Sequence, residues 1–363
     1  MGKIFLSSRK WVIFTGVFIG ISATLLQRWG NPPNMGICVA CMLRDISGAL
    51  GLHRAEVVQY IRPEIIGFVL GSLVSALIYK EFKPRGGSAP IIRFVLGFLA
   101  MVGALVFLGC PWRTLLRLAG GDGNALFGLA GLVGGIWIGV FFIKSGYNLG
   151  RSQRSNTLTG WIMPFIMLGF LLLLIFKPQL SSGAVFFSSK GPGSQHAPIF
   201  IALSVAIVIG FLAQRTRFCT VAAFRDVIII KDTHLLSGVI SLLLAAFISN
   251  LILGQFSFSL QGQPIAHTNQ LWNFGGMVLA GLAFTLAGGC PGRQLFLSGE
   301  GDTDAALFIL GMLVGAGFAH NFETVSSTSG PGRWGPTSVI IGLVICMVIG
   351  FSMSDLWRKK KEG

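Results

Sequence analysis

Cysteines placed in repeated turns are the residues of this chain whose types and spacing favour chemistry. Of six cysteines, Cys110 and Cys290 each stand in a Gly-Cys-Pro turn, 180 residues apart. Cys38 and Cys219 stand 181 residues apart, and each lies six residues before the arginine of an Arg-Asp pair. A thiol donates weak hydrogen bonds, and its thiolate is a nucleophile and a metal ligand. The spacing predicts an internal duplication with a thiol at each of four equivalent turns.

An arginine follows each of these cysteines closely in the sequence. The four are Arg44, Arg113, Arg225 and Arg293. Charged side chains are expensive inside a membrane, so they pair within the protein or serve an ion pathway. Arg44 and Arg225 each precede an aspartate, which favours an internal ion pair that fixes the segment in place. Attraction of an anion by the arginines is the alternative.

The composition predicts a polytopic membrane protein. The chain is 53% hydrophobic and 11% charged, whereas soluble domains carry roughly 25% charged residues. A helix needs about 20 apolar residues to cross a bilayer, and several runs approach that length. The predicted spans are 11–27, 64–80, 91–109, 124–143, 158–176, 197–213, 234–253, 271–289, 304–321 and 337–354. The expected fold class is therefore all-α.

The net charge of +15 is better explained by a membrane than by nucleic acid. Basic residues gather in the short cytoplasmic loops of membrane proteins, and the sequence contains no nucleic-acid-binding motif. With the N-terminus inside, the inner segments hold 19 of the 28 Lys and Arg residues. We therefore expect a multi-pass protein with both termini in the cytoplasm.

The predicted organisation is two halves joined by a linker. Residues 1–143 form the first half, 144–196 a linker with one extra span, 197–321 the second half, and 322–363 a last span with a basic tail. Equivalent spans lie five crossings apart, and because five is odd the halves must be inverted in the membrane. Inverted repeats with broken helices and a site near the midplane are a common transporter plan.

The short segments after the four cysteines are predicted to be re-entrant half-helices. Proline suits the first helical position, so Cys110 and Cys290 should lie at helix N-termini. Such ends favour anions through free N–H groups and the helix dipole. A neutral thiol there donates a hydrogen bond to an anion, whereas a thiolate repels it. We therefore expect Cys38, Cys110, Cys219 and Cys290 to line the path of a small anion.

Two alternative functions have some support in the sequence. Cys38 and Cys41 form a C-x-x-C, which favours a membrane thiol–disulfide oxidoreductase, but the counterpart of Cys41 in the second half is Ala222. The basic segment 215–231 favours an anchor that docks a soluble carrier protein, although the positive-inside rule already explains that segment. The five histidines share no spacing, so we predict no metal site, no cofactor and no enzymatic activity.

The cysteine motifs resemble those of a known family. The turns around Cys110 and Cys290, the segment from Phe218 to Asp226 and the inverted duplication resemble the YeeE/YedE family of bacterial inner-membrane proteins. The resemblance covers nearly the whole chain. The stretch 31–45, which includes Cys38, is similar to the YedE branch, associated with selenium metabolism, whereas the YeeE branch takes up thiosulfate.

The resemblance implies an hourglass of inverted halves in the bacterial inner membrane. It also implies that Cys110, Cys219 and Cys290 pass the ion through by hydrogen bonds. Cys38 lies in the YedE-like stretch, where this sequence departs from the YeeE branch. The extra thiol implies a sulfur- or selenium-containing anion rather than thiosulfate alone. Family members often work with small TusA-like sulfur-carrier proteins, so a separate cytoplasmic partner of this kind is expected.

Overall fold

The fold is almost entirely helical over the part of the chain that the computed structural model describes, residues 8–177 and 185–358. The helices are α1 (Arg9–Arg28), α2 (Val39–Ala49), α3 (Pro63–Ile78), α4 (Pro90–Phe107), α5 (Pro111–Ala119), α6 (Asn124–Lys144), α7 (Thr157–Phe176), α8 (Ile199–Thr216), α9 (Thr220–Ile230), α10 (His234–Ile252), α11 (Gln270–Leu286), α12 (Pro291–Gly299), α13 (Thr303–Asn321), α14 (Gly335–Ser352) and α15 (Asp355–Arg358). Two short strands, β1 (Arg85–Gly86) and β2 (Gln153–Arg154), pair antiparallel.

The long helices are membrane spans by length and composition. Within the described residues, nine helical stretches are long and apolar enough to cross a membrane, and α3 is a shorter apolar helix of 16 residues. Together they correspond to the ten predicted spans. The prediction of an all-α polytopic membrane protein is therefore confirmed. The predicted basic tail beyond residue 358 lies outside the described residues.

Close helix contacts at glycine are repeated between the two halves. A Cβ at Gly131 of α6 would overlap the carbonyl oxygen of Phe274 on α11. A Cβ at Gly311 of α13 would overlap the carbonyl oxygen of Phe94 on α4 in the same way. Both residues of the second contact are related to those of the first by 180 positions. Small residues let helix backbones approach closely in lipid, and here one such contact is made twice.

A second set of contacts fixes the direction of the helices. Gly16 of α1 lies against Gly238 of α10, and Gly20 lies against Leu242, so these two helices run in parallel. Helices α3 and α8 also run in parallel, because Gly67 and Gly71 of α3 meet successive turns of α8. Since α3 returns across the membrane after α1, its partner α8 runs opposite to α1. The equivalent helices α1 and α8 are therefore inverted.

The loops gather on two faces. We call the face on which α1 begins the first face, and the opposite one the second face. On the first face the backbone of Lys83 bonds to Glu300, and Arg85 pairs with Asp302 at 2.8 Å. On the second face Asn31 bonds to the backbone of Ala197 at 2.8 Å. Each half therefore contributes loops to both faces.

Candidate functional site

Each of the four symmetric cysteines caps the N-terminus of a short helix. Cys38, Cys110, Cys219 and Cys290 precede α2, α5, α9 and α12, and each has an extended backbone. Proline begins α5 and α12, as expected for a first helical position. All four side chains are buried, with at most 3% of their surface exposed. The structure thus places the thiols at helix N-termini inside the protein.

Three of the four sulfur atoms accept a hydrogen bond from their own helix, and that of Cys110 does not. Cys41 N–H donates to Cys38 Sγ at 3.3 Å, and Ala222 N–H donates to Cys219 Sγ at 3.4 Å. Arg293 N–H donates to Cys290 Sγ at 3.5 Å. Some N–H groups that were expected to be free for an anion are therefore used by sulfur. The thiol of Cys38 donates its hydrogen to Cys110 Sγ, so within the structure this hydrogen bond joins two of the cysteines.

The thiols form two pairs rather than an even row. Cys38 and Cys110 have their Sγ atoms 3.8 Å apart, and we call them the second-face thiol pair. Cys290 N–H donates to Cys219 Sγ at 3.4 Å, and we call these two the first-face thiol pair. Cys346 is buried in α14 and belongs to neither pair.

Arg113 binds backbone rather than a carboxylate. Its guanidinium is fully buried and donates to the carbonyls of Asn34, Leu108 and Ile265. Its Nη1 also lies 3.7 Å from Cys41 Sγ. Because these partners come from segments on either side of the Cys110 turn, Arg113 fixes the loops around the second-face thiol pair.

Arg44 pairs with its neighbour, and a further arginine completes the cluster. Arg44 Nη2 lies 2.7 Å from Asp45 Oδ1, and Arg62 Nη2 lies 2.7 Å from Asp45 Oδ2. Arg62 also donates to the carbonyls of Pro192 and Gln195. Arg62 is a site residue that no sequence motif marked. Its position directly before Pro63 gave no sign that it would meet α2.

The arginines of the second half have different surroundings. Arg225 pairs with Asp226 at 2.8 Å, but these side chains are 28% and 24% exposed. Arg293 Nη1 lies 3.4 Å from Glu300 Oε1. The second half therefore repeats the Arg-Asp motif of the first without its buried, three-membered cluster.

A basic cavity opens beside the first-face thiol pair. Its volume is about 660 Å³, and we call it the first-face vestibule. It is lined by five basic residues, two acidic residues and one glutamine: Lys83, Arg85, Arg215, Arg217, Arg293, Glu81, Glu300 and Gln214. Arg293 belongs to the first turn of α12, which begins after Cys290. An anion reaching this cavity would lie close to that helix N-terminus.

The carboxylate of Glu81 stays ionised in this vestibule. Burial acts to raise the pKa of Glu81, but hydrogen bonds from Gln214 and Arg215 outweigh it, so the pKa falls below its ordinary 4.5. Arg215 lies 2.8 Å from Glu81. With five cations against two carboxylates the wall remains basic, which favours an anion over a cation.

An aromatic side chain lies between the two thiol pairs. Trp112 is 2% exposed, and its indole edge faces Gly292, two residues after Cys290. Trp112 was not among the site residues predicted from the sequence. The signal was present, because the two turns read Gly-Cys-Pro-Trp-Arg and Gly-Cys-Pro-Gly-Arg. That departure from the repeat marks where the site is asymmetric.

The described residues contain no group of three or more His, Cys, Asp or Glu side chains placed to hold a metal ion.

Together, the fold and the site define an α-helical membrane protein with buried thiols at inverted helix breaks. Residues 215–358 match the model of a family described as sulphur transport. The resemblance to the YeeE/YedE family is thereby confirmed over this part of the chain.

A named relative agrees with this family. Over 108 residues the chain is 33% identical to the thiosulfate transporter TsuA of Spirochaeta thermophila. The aligned stretch covers 30% of this chain and 32% of that protein, so the match spans about a third of the relative's length. Both descriptions name transport, in agreement with the prediction of a transporter rather than an enzyme.

Proposed function

We propose that this protein is a transmembrane transporter for a small sulfur- or selenium-containing anion. The observation that carries the proposal is the placement of Cys38 and Cys110, and of Cys219 and Cys290, at helix N-termini that enter from opposite faces. A buried neutral thiol donates a hydrogen bond to an anion without carrying a charge that repels it. The anion passes from one thiol pair to the other by exchanging such hydrogen bonds.

The first-face vestibule supports the choice of an anion. Its basic wall raises the local anion concentration beside Cys290. Arg44, Arg113 and Arg225 play a supporting role by holding the cysteine-bearing segments through buried or half-buried contacts. Arg293, which lines the vestibule, is the supporting arginine closest to the transported ion in this scheme.

The substrate class follows from the relative and from Cys38. Thiosulfate is the substrate that the relative's name gives. In the similar YedE branch the extra cysteine accompanies selenium metabolism, so a selenium compound is the second member of the proposed class. Sulfur and selenium anions are both large and polarisable, so they gain dispersion contacts with the polarisable sulfur of a buried thiol.

The orientation and the partner are also part of the proposal. The Lys and Arg bias supports a cytoplasmic location for the first face and both termini, and the family resemblance supports a bacterial inner membrane. The vestibule then opens to the cytoplasm. A small TusA-like sulfur carrier, as a separate protein, is the proposed partner on this face.

Uptake into liposomes that contain only this protein tests the proposal. Radiolabelled thiosulfate is the substrate, with sulfite, sulfide, selenite and selenide as competitors. We expect Cys110→Ala, Cys219→Ala and Cys290→Ala to lower uptake by about tenfold or more, because each removes a donor to a charged ligand. Cys346→Ala is the matched control, since Cys346 is equally buried but lies in α14.

Two results would reject the proposal. Wild-type uptake by all three alanine variants would show that the thiols do not serve the substrate. Failure of the pure protein to move any of these anions, together with binding of a carrier protein, would favour the docking alternative.

A further inference from the structure

Trp112 occupies the space between the two thiol pairs. It lies in the first turn of α5, two residues after Cys110, and is 2% exposed. A Cβ placed on Gly292 would lie 3.1 Å from its Cζ2 atom and 3.4 Å from its Cε2 atom. Gly292 stands two residues after Cys290 in the first turn of α12. The indole therefore reaches from one Gly-Cys-Pro turn to the other.

Three phenylalanines surround the indole. The ring of Trp112 lies 5.8 Å from that of Phe68, 6.2 Å from Phe218 and 6.1 Å from Phe296, measured between centroids. Phe218 directly precedes Cys219, so this cluster borders the first-face pair as well. Such packing fills the space around the indole with apolar rings and leaves no room for an anion there while the rings stay in place.

The indole N–H is buried without a partner. Trp112 Nε1 makes no hydrogen bond to any residue that the structure describes, and neither does the hydroxyl of Thr220, which follows Cys219. An unpaired buried polar group is costly, so natural proteins keep few of them. Nε1 is bonded to Cε2, one of the three indole atoms nearest to Gly292. An indole nitrogen can only donate, so the partner it suits is an acceptor such as an anion.

We infer that Trp112 is a movable gate between the thiol pairs and donates its indole N–H to the passing anion. The inference rests on the proposed function. Rotation of the indole away from Gly292 opens the path from Cys38 and Cys110 to Cys219 and Cys290. During passage Nε1 donates a hydrogen bond to the anion between the two pairs, where it has left the thiols of one pair and has not reached those of the other.

The packing between the two halves explains why one half has an indole ring at this position of the repeat and the other half has a glycine. Gly292 occupies the position equivalent to Trp112. A side chain at position 292 would press on the indole, since even a Cβ would lie 3.1 Å from it. One large residue therefore faces one glycine at the centre of the repeat.

Two variants separate the donor role from the gate role. Trp112→Phe keeps an aromatic ring but removes the N–H, and we expect uptake of radiolabelled thiosulfate to fall about tenfold, the loss typical of a hydrogen bond to a charged group. Trp112→Ala removes the ring, and we expect an impermeant thiol reagent applied only from the second face to modify Cys219 and Cys290. Site-resolved mass spectrometry reads each cysteine separately.

Controls keep both outcomes interpretable. Trp137→Phe and Trp137→Ala change a tryptophan that is 65% exposed on α6, and both should behave as wild type. If Trp112→Ala does not fold, Trp112→Leu replaces it in the labelling experiment.

Wild-type uptake by Trp112→Phe would overturn the donor role. Wild-type protection of Cys219 and Cys290 in the folded alanine or leucine variant would overturn the gate. The labelling needs no substrate, so it still reports on the gate if the wild-type protein moves none of the tested anions, which is the failure of the proposed function.

Discussion

Asp45 binds Arg62, which lies 17 positions later in the sequence, with Oδ2 and Nη2 2.7 Å apart and both side chains fully buried. The other carboxylate oxygen binds Arg44. Because Arg62 also holds the carbonyls of Pro192 and Gln195, this contact ties the half-helix that begins after Cys38 to the second-face loops. One carboxylate thus holds the second-face thiol pair in place.

Asp45→Asn should strongly destabilise the protein. It leaves two buried guanidinium groups without their counter-charge, which costs about 3–5 kcal/mol. We expect a clear fall in the thermal unfolding midpoint, measured in detergent by fluorescence-detected gel filtration. Asp226→Asn is the matched control in the second half. Its pair with Arg225 is 24–28% exposed and should contribute only about 0–1 kcal/mol. Equal losses for the two variants would contradict this prediction.

Gly311→Ala should destabilise the contact between α13 and α4. The new methyl group would overlap the carbonyl oxygen of Phe94, and forcing the helices apart costs about 1–3 kcal/mol. Gly131→Ala, at the equivalent contact of the first half, should have a similar effect. Gly169→Ala in α7 is the control, because a Cβ there has no neighbour within 4 Å. The same thermal assay checks all three, and a neutral Gly311→Ala would count against the packing.

Cys41→Ala should leave transport nearly unchanged. The second half has Ala222 at the equivalent position, and the backbone N–H that caps Cys38 is kept. The variant loses the weak contact with Arg113 and the interaction with the Cys38 thiol. Uptake in liposomes checks this prediction. Cys38→Ala, assayed in parallel, should have impaired uptake. Loss of function in Cys41→Ala together with an isolated Cys38–Cys41 disulfide would favour the oxidoreductase alternative.

Acidification should destabilise the protein through His267, which lies in the second-face loop before α11. Asn269 N–H donates to its Nδ1 and its Nε2 lies 2.9 Å from the carbonyl oxygen of Val106, so the ring is neutral with the hydrogen on Nε2. Burial lowers the pKa of His267 from its ordinary 6.5.

The folded state therefore binds this proton less readily than the unfolded state. Its contribution to stability is present above pH 6.5 and is lost as the pH falls toward the lowered value. The unfolding midpoint of the wild type should fall over this window. His267→Gln should be less sensitive to pH there, and an identical pH profile for the two proteins would contradict the prediction. The charged neighbours of the ring are Arg117 and Asp122.

Much of the fold could be predicted because it depends on local sequence patterns. Apolar runs of the right length predicted the spans, and the repeat of Cys110 at Cys290 predicted an inverted pair of helix breaks. Proline after each of these cysteines predicted where α5 and α12 begin. These features depend on residues that are close in sequence, so periodicity and helix-start preferences were enough.

What the sequence determined by itself is that this chain crosses a membrane many times and carries four thiols at equivalent helix starts. Only the tertiary structure decided which thiols meet: Cys38 with Cys110, 72 residues away, and Cys219 with Cys290, 71 residues away. It also decided that Trp112 faces Gly292. Such contacts depend on how closely whole helices pack and at what angle, and a linear pattern of residue types does not specify these distances.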